Sequence, residues 1–350
     1  GRDRRAAANA KRLPLARVEM HAVRTAVRGQ RATLRVHMTY AFEGIDTEFV
    51  KTSRMRAVKT AAGWRIVRDR PAGGALAPWE YRRHTARTSP HFLALAPTGL
   101  RVGSLMRDLE KGRARMRRAL PDVKAPRKLL VIVVRNGRDA RALTKDYHTI
   151  SALIAVAEAQ VSLKGPARRV SAVDGQRVFV LWRSYGCRTA DQRRTVIAHE
   201  LVHAALADRS GGRVPAWLSE GIAMYAAGDE RVGEAGAVLN GARLRDASQQ
   251  DDVERVLSLR RLARPSSLDR LGPTVLAFAY SYSAAAAYAI AANHGGARTL
   301  LKLYAAFNSE KIKGAPGRRL NERVVRRGLG MPLSALEDEI DAYARARPAL

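Results

Sequence analysis

The sequence predicts an α+β fold: a small antiparallel α+β module, then a mixed sheet, then a mostly helical C-terminal half. Three observations predict it. "RATLRVHMTYAFEG" and "FVKTSRMRAVKTAAGWRIVRD" alternate apolar and polar residues with period two, as half-exposed antiparallel strands do. "KLLVIVVR" (128–135) and "RVFVLWRS" (177–184) are short apolar runs, the pattern of covered strands. From residue 189 onward the apolar spacing is helical, with helix start and stop signals around it.

Residues 1–70 read as a short helix followed by strands. The closing "GWRIVRD" resembles the last strand of NTF2-like domains, here with the first half of such a domain absent. "RPAGGALAPWEYRRHTARTSP" (70–90) is rich in Pro, Gly and basic residues and reads as a linker. The expected division is a module over 1–75, a linker over 76–90 and a second domain over 91–350. A polar, arginine-rich helix is expected at about 99–119, and "KLLVIVVR" as a central strand. "ISALIAVAEAQV" (150–161) fits strand or helix. The run "VLAFAYSYSAAAAYAIAA" (275–292) is long enough to cross a membrane, but its serines, tyrosines and many alanines make a buried helix of a soluble protein the better reading.

The chemistry concentrates in "TVIAHELVHAAL" (195–206). Thr189 with Gln192 forms a capping box ahead of it, and Gly211–Gly212 are expected to end the helix. Val196, Ile197, Leu201, Val202 and Leu206 make that helix apolar almost all round, hence buried. His199 and His203, four apart, lie one above the other on a single face and can reach one metal ion. Glu200 lies about 100° round from His199, placed to hold a water beside that metal. Buried charge is costly unless paired or metal-bound, so these three residues need a partner. "VPAWLSEGIAMY" (214–225) supplies one: Pro215 fits a helix start, and Glu220 is a lone acid among Trp217, Leu218, Ile222 and Met224.

The pairing of "HELVH" with "WLSEGIAMY" 16 residues later resembles the gluzincin metallopeptidases, in particular the peptidase MA-like families related to thermolysin and the zinc aminopeptidases. The resemblance is specific over about 190–228 and fainter from about 90 to 345. It implies a zincin-like mixed sheet over the active-site helix, Zn2+ bound by His199, His203 and Glu220, and Glu200 as general base. Zinc would acidify a water and polarise the scissile carbonyl, and Glu200 would carry the proton to the leaving amine. For the oxyanion donor, "AYSYSAAAAYAI" offers Tyr280 and Tyr282; the resemblance, through a Y-x-x-S pattern, favours Tyr280 with Ser283, the alternative being that both tyrosines simply pack. "RVFVLW" is expected near the cleft, free to pair with an extended peptide. The zinc aminopeptidases carry a GxMEN stretch that grips the substrate's amino terminus. None stands upstream of His199, and "AVAEA" with Glu158 is a faint echo, so an endopeptidase is expected.

Other residues weigh less. His294 in "ANHGG" reads as a helix C-terminal residue on the dipole, with an oxyanion role as the sharper alternative. Asp229 and Glu230 read as a solvated turn, the alternative being that they orient a histidine. Cys187, the single cysteine, rules out an intrachain disulfide and reads as a buried thiol rather than a zinc mask.

With 350 residues, 46% hydrophobic and 27% charged, the chain belongs with folded proteins, not disordered ones. The net charge of +31, from 63 basic and 32 acidic residues, invites a polyanion: nucleic acid, anionic lipid or an acidic cell-wall polymer. No aromatic–basic interleaving supports nucleic acid, and arginine spread along an alanine- and glycine-rich chain reads as compositional bias on solvated surfaces. The expected partner is a peptide or protein substrate, with association to anionic polymers or a membrane surface left open. The chain begins at Gly1 and is expected to be a fragment or processed form of an extracytoplasmic protein. The competing functions are an inactive zinc-binding scaffold and a basic polyanion-binding protein with a structural metal.

Overall fold

In the computed structural model the described residues are 2–72, 75–144, 154–165, 169–268, 271–309 and 311–347. They form two compact units. The first comprises 1–110, 126–160 and 174–188, and the second 111–125, 161–173 and 189–350. The chain is α+β.

The first unit opens with α1 (Arg2–Ala10) and an antiparallel meander of β1 (Leu15–Arg28), β2 (Arg31–Phe42), β3 (Phe49–Thr60) and β4 (Gly63–Pro71), in that spatial order. Period-two alternation survives in the inner strands: Val36, Met38, Tyr40 and Phe42 of β2 are buried and the residues between them more open. Both faces of β1 lie largely open. The segment 76–90, read as a linker, holds α2 (Pro78–Tyr81) and β5 (His84–Thr88). Trp79 is buried there and packs edge-on against Tyr40, 4.8 Å between ring centroids. The proline starts a helical turn rather than a tether.

After β6 (Phe92–Pro97), helix α3 (Gly103–Ala119) leads from the first unit into the second. Then come β7 (Leu129–Val134), α4 (Gly137–Leu143), β8 (Ala155–Lys164), β9 (Arg169–Leu181) and α5 (Trp182–Gly186). The sheet order is β5-β6-β7-β9-β8; β5 runs antiparallel to β6, while β6, β7 and β9 are parallel, so the sheet is mixed. All six residues of β7 are buried, the central strand its composition predicted. "ISALIAVAEAQV" resolves to strand from Ala155 on, while 150–153 lie outside the described residues. One expectation is corrected: β9, which holds "RVFVL", is flanked by β7 and β8, so its backbone is already paired and it offers no free edge to a peptide. The edges are β5 and β8.

The second unit is helical: α6 (Ala190–Leu206), α7 (Ala216–Ala227), α8 (Gly233–Leu239), α9 (Gln250–Val256), α10 (Pro273–Asn293), α11 (Gly296–Phe307), α12 (Arg318–Leu329) and α13 (Leu333–Arg345). Helix α10 is its axis, touching α7, α8, α9, α11 and α13. Ala284, Ala285, Ala286 and Ala287 are at most 1% exposed, so their small side chains admit neighbours on several sides. By length and composition α10 could cross a membrane, yet about two thirds of its apolar window is covered by protein, as a buried helix requires.

Candidate metal centre

Helix α6 starts as its sequence dictates. The Thr189 hydroxyl accepts from the Gln192 amide at 3.3 Å, and the Gln192 side chain accepts from the Thr189 amide at 3.1 Å. It ends at Leu206, before the glycines expected to stop it. A short 3₁₀ turn (Ala207–Arg209) follows, and Ser210 Oγ donates back to the Leu206 carbonyl at 2.9 Å. Pro215 is the flanking residue at which α7 begins.

Two contacts fix α7. Trp217 is fully buried and donates its indole N–H to Asn321 Oδ1 at 2.7 Å, while Asn321 Nδ2 donates to the Ala263 and Gly317 carbonyls, each at 3.0 Å. Gly221 lies against α10 so closely that a Cβ there would overlap the Ser283 carbonyl oxygen. The residue after Glu220 must therefore be glycine for α7 and α10 to pack as they do. Gly112 of α3 makes the same kind of approach to α6, where an added Cβ would stand 2.7 Å from Ile197 Cγ2. Arg115, also on α3, donates to Thr195 Oγ1 at 2.7 Å, to Asp191 Oδ1 at 2.6 Å and to the Ala227 carbonyl at 3.2 Å. One guanidinium thus joins α6 to the end of α7.

Held this way, three atoms converge. His203 Nε2 lies 3.1 Å from His199 Nε2 and 3.2 Å from Glu220 Oε2, and His199 Nε2 lies 3.2 Å from the same oxygen. A tetrahedral zinc with bonds of about 2.0–2.1 Å spaces its ligands about 3.3 Å apart. The near-equilateral triangle matches that spacing, so the residues fit the metal that the sequence implies. Among the described residues, this is the group of three His, Cys, Asp or Glu side chains whose ligand atoms close on one point. All three side chains are largely covered, at 16% exposure for His199 and Glu220 and 25% for His203.

The electrostatics follow from the crowding. Burial alone would raise the Glu220 carboxyl, but His203 and His199 beside it hold it far below the carboxylate range. Burial alone would lower His203, but the Glu220 carboxylate, with a smaller contribution from Glu200, holds it up at about 9. Without metal the centre is thus an ion pair.

Tyr280 stands on α10 with its ring centroid 6.1 Å from that of His199. Burial and the Glu220 and Glu200 carboxylates push its hydroxyl well above the usual phenol value, so it stays a hydrogen-bond donor. Tyr282 points elsewhere: it is 1% exposed and donates to Asp341 Oδ1 at 2.9 Å, away from the three ligands. Ser283 bonds the Ala279 carbonyl at 2.7 Å within its own helix. His294 caps α10 and pairs with Glu339 at 2.8 Å. Asp229 holds Arg231 through a two-pronged pair whose shortest contact is 2.6 Å, and Glu230 is exposed. In the first unit, Glu158 is engaged by Arg177 at 3.1 Å. Cys187 is exposed, not buried as read from the sequence: it caps α5, and a short helix end turned to solvent leaves the thiol outside.

Arg115, Asn321 and Tyr304 had no sequence signal. Tyr304 of α11 sits 2.5 Å from Ser210 Oγ and senses Glu220; burial lifts it to about 12 against the pull of Ser210 and Ser219. Each bonds α6, α7 or the turn between them across 76 or more residues of sequence, which no local pattern reports. Gly221 was visible as part of "WLSEG", though not its reason.

Solved structures that resemble the chain include an M1 zinc metallopeptidase from Deinococcus radiodurans and a single-substitution variant of it. The first aligns with TM-score 0.39 and 17% identity over 95% of this chain and 63% of its own, and the variant with 0.38 and 15% over 94% and 62%. The chain thus spans just over three fifths of the length of either. No family model and no curated protein matches it. None of these likenesses bears on the NTF2-like reading of the first module.

Proposed function

We propose that the chain is a zinc-dependent metallopeptidase of gluzincin type that hydrolyses internal peptide bonds. The observation that carries this reading is the triangle of His199, His203 and Glu220 ligand atoms, 3.1–3.2 Å on a side, with Glu200 next to it on the same helix. A structural zinc takes four protein ligands, whereas a hydrolytic one takes three and keeps a position open. Three among the described residues favour the hydrolytic kind over a scaffold. When bound, zinc supplies Lewis acidity and an acidified water.

The chain's own residues supply the rest. Glu200 accepts a proton from the attacking water and returns it to the leaving amine. Tyr280, kept protonated, donates to the oxygen of the attacked carbonyl as charge builds on it. Glu158, already neutralised by Arg177, is not free to grip a substrate's amino terminus, which supports internal cleavage over aminopeptidase action.

The test uses zinc-loaded protein, a mixture of proteome-derived peptides, and mass spectrometry to find new termini. Wild type should create internal cuts. Glu200→Gln should retain zinc and lose about 10²–10⁴ in rate, the range for a general base. Wild type that cuts nothing, or a variant that cuts as fast, overturns the proposal.

A further inference from the structure

Helix α12 carries a charge pattern that neither its packing nor the metal centre explains. Its buried face is Leu320, Asn321, Val324 and Val325. Its exposed side chains include Arg318, Arg319, Arg323 and Arg326, which with Glu322 line one surface cavity of about 540 Å³. Glu322 is already engaged: Arg326 donates to one oxygen at 3.0 Å and the Leu333 amide to the other at 3.3 Å. Among the described residues, Arg318, Arg319 and Arg323 have no carboxylate partner. Against the single carboxylate of Glu322, which Arg326 engages, three further guanidinium groups share the concavity and leave it with an excess of positive charge.

The surroundings deepen this potential. Arg213, 2% exposed, donates to the Ser309 and Ile312 carbonyls. Burial and then the Arg323 charge depress it, so the two cations stand near each other. Gly314, at φ 132°, leaves room for the Arg323 guanidinium; a Cβ there would overlap it. Arg318 and Arg319 also occupy the first turn of α12, where a helix prefers acids, as α9 shows with Asp251 and Asp252. Stability alone would not place arginines here.

We propose that this cavity binds a phosphate group, its oxygens taken by the forked guanidiniums of Arg318, Arg319 and Arg323. Arginine forks match phosphate geometry two bonds at a time, and several converging on one concavity distinguish a site from a diffuse basic surface. The phosphate can come from a soluble phosphate ester or from an anionic lipid headgroup, and the two are separable.

The test titrates pyrophosphate into the folded full chain by calorimetry at fixed ionic strength, comparing wild type with Arg319→Ser/Arg323→Ser. A control, Arg54→Ser/Arg56→Ser, removes the same charge from the exposed side of β3. All side chains changed are exposed, and thermal melts check that each variant folds. Wild type should bind, the α12 variant should bind at least about tenfold more weakly, as expected for two lost charge-assisted contacts, and the control should match wild type. Sedimentation with phosphatidylglycerol vesicles forms the second arm. Vesicle binding that pyrophosphate displaces and the α12 variant loses assigns the site to a headgroup. Pyrophosphate binding without vesicle binding assigns it to a soluble phosphate. No binding to either, or equal loss in the control, overturns the proposal.

Discussion

His203 couples the metal centre to pH. In the metal-free chain it is held at about 9, so at pH 7 it carries a proton that a metal must displace. Zinc binding at pH 7 should release about one proton from this residue, measurable as the dependence of calorimetric heat on buffer ionisation enthalpy. Glu220→Gln removes the charge that raises His203, so that release should shrink. The pair also sets a pH window for metal-free stability. The raised His203 stabilises below its unfolded value of 6.5, and this is lost as pH rises through about 9. The depressed Glu220 stabilises above 4.5, and this is lost as pH falls through its lower folded value. Chemical melts of chelated protein should peak between those limits; a profile flat from pH 4 to 10 would contradict the ion pair. Cys187, being exposed, should react with iodoacetamide in the native chain without loss of zinc.

Helices α6 and α7 are where sequence and structure agree most closely, and where the agreement stops is instructive. The capping box, the i,i+4 histidines and the lone Glu220 were legible because each is a local pattern with a fixed geometric meaning. What holds the two helices in register was not legible, since it comes from distant residues. Gly221→Ala should drive α7 off α10 at Ser283, cost about 1–3 kcal/mol as overpacking does, and weaken zinc binding by moving Glu220. Equal zinc affinity in that variant would show that the close approach does not position the ligand. Arg115→Met should cost about 1–3 kcal/mol in urea melts, because Thr195, Asp191 and the Ala227 carbonyl lose a shared donor. Zinc stoichiometry should survive, since Arg115 touches no ligand atom.

For the whole molecule, the α+β class was legible from the two periodicities, and β7 from its unbroken apolar run. The segment 76–90 reads as a linker because Pro and Gly punctuate turns inside a unit as readily as tethers between units, and in the structure it carries α2, β5 and the buried Trp79. The order of β9 and β8 could not be read, because strand order is set by pairings remote in sequence. Bound zinc should also stabilise the chain by about 4 kcal/mol at a thousandfold excess over its dissociation constant, so chelation should lower the melting temperature. Whether three ligand atoms hold one metal is read out by elemental analysis of exhaustively dialysed wild type beside Glu220→Ala. Wild type should carry about one zinc per chain, as one tetrahedral centre requires, and the variant should show a clear loss. A folded wild type that holds no zinc and refuses added metal, or a variant that keeps the full complement, would contradict it.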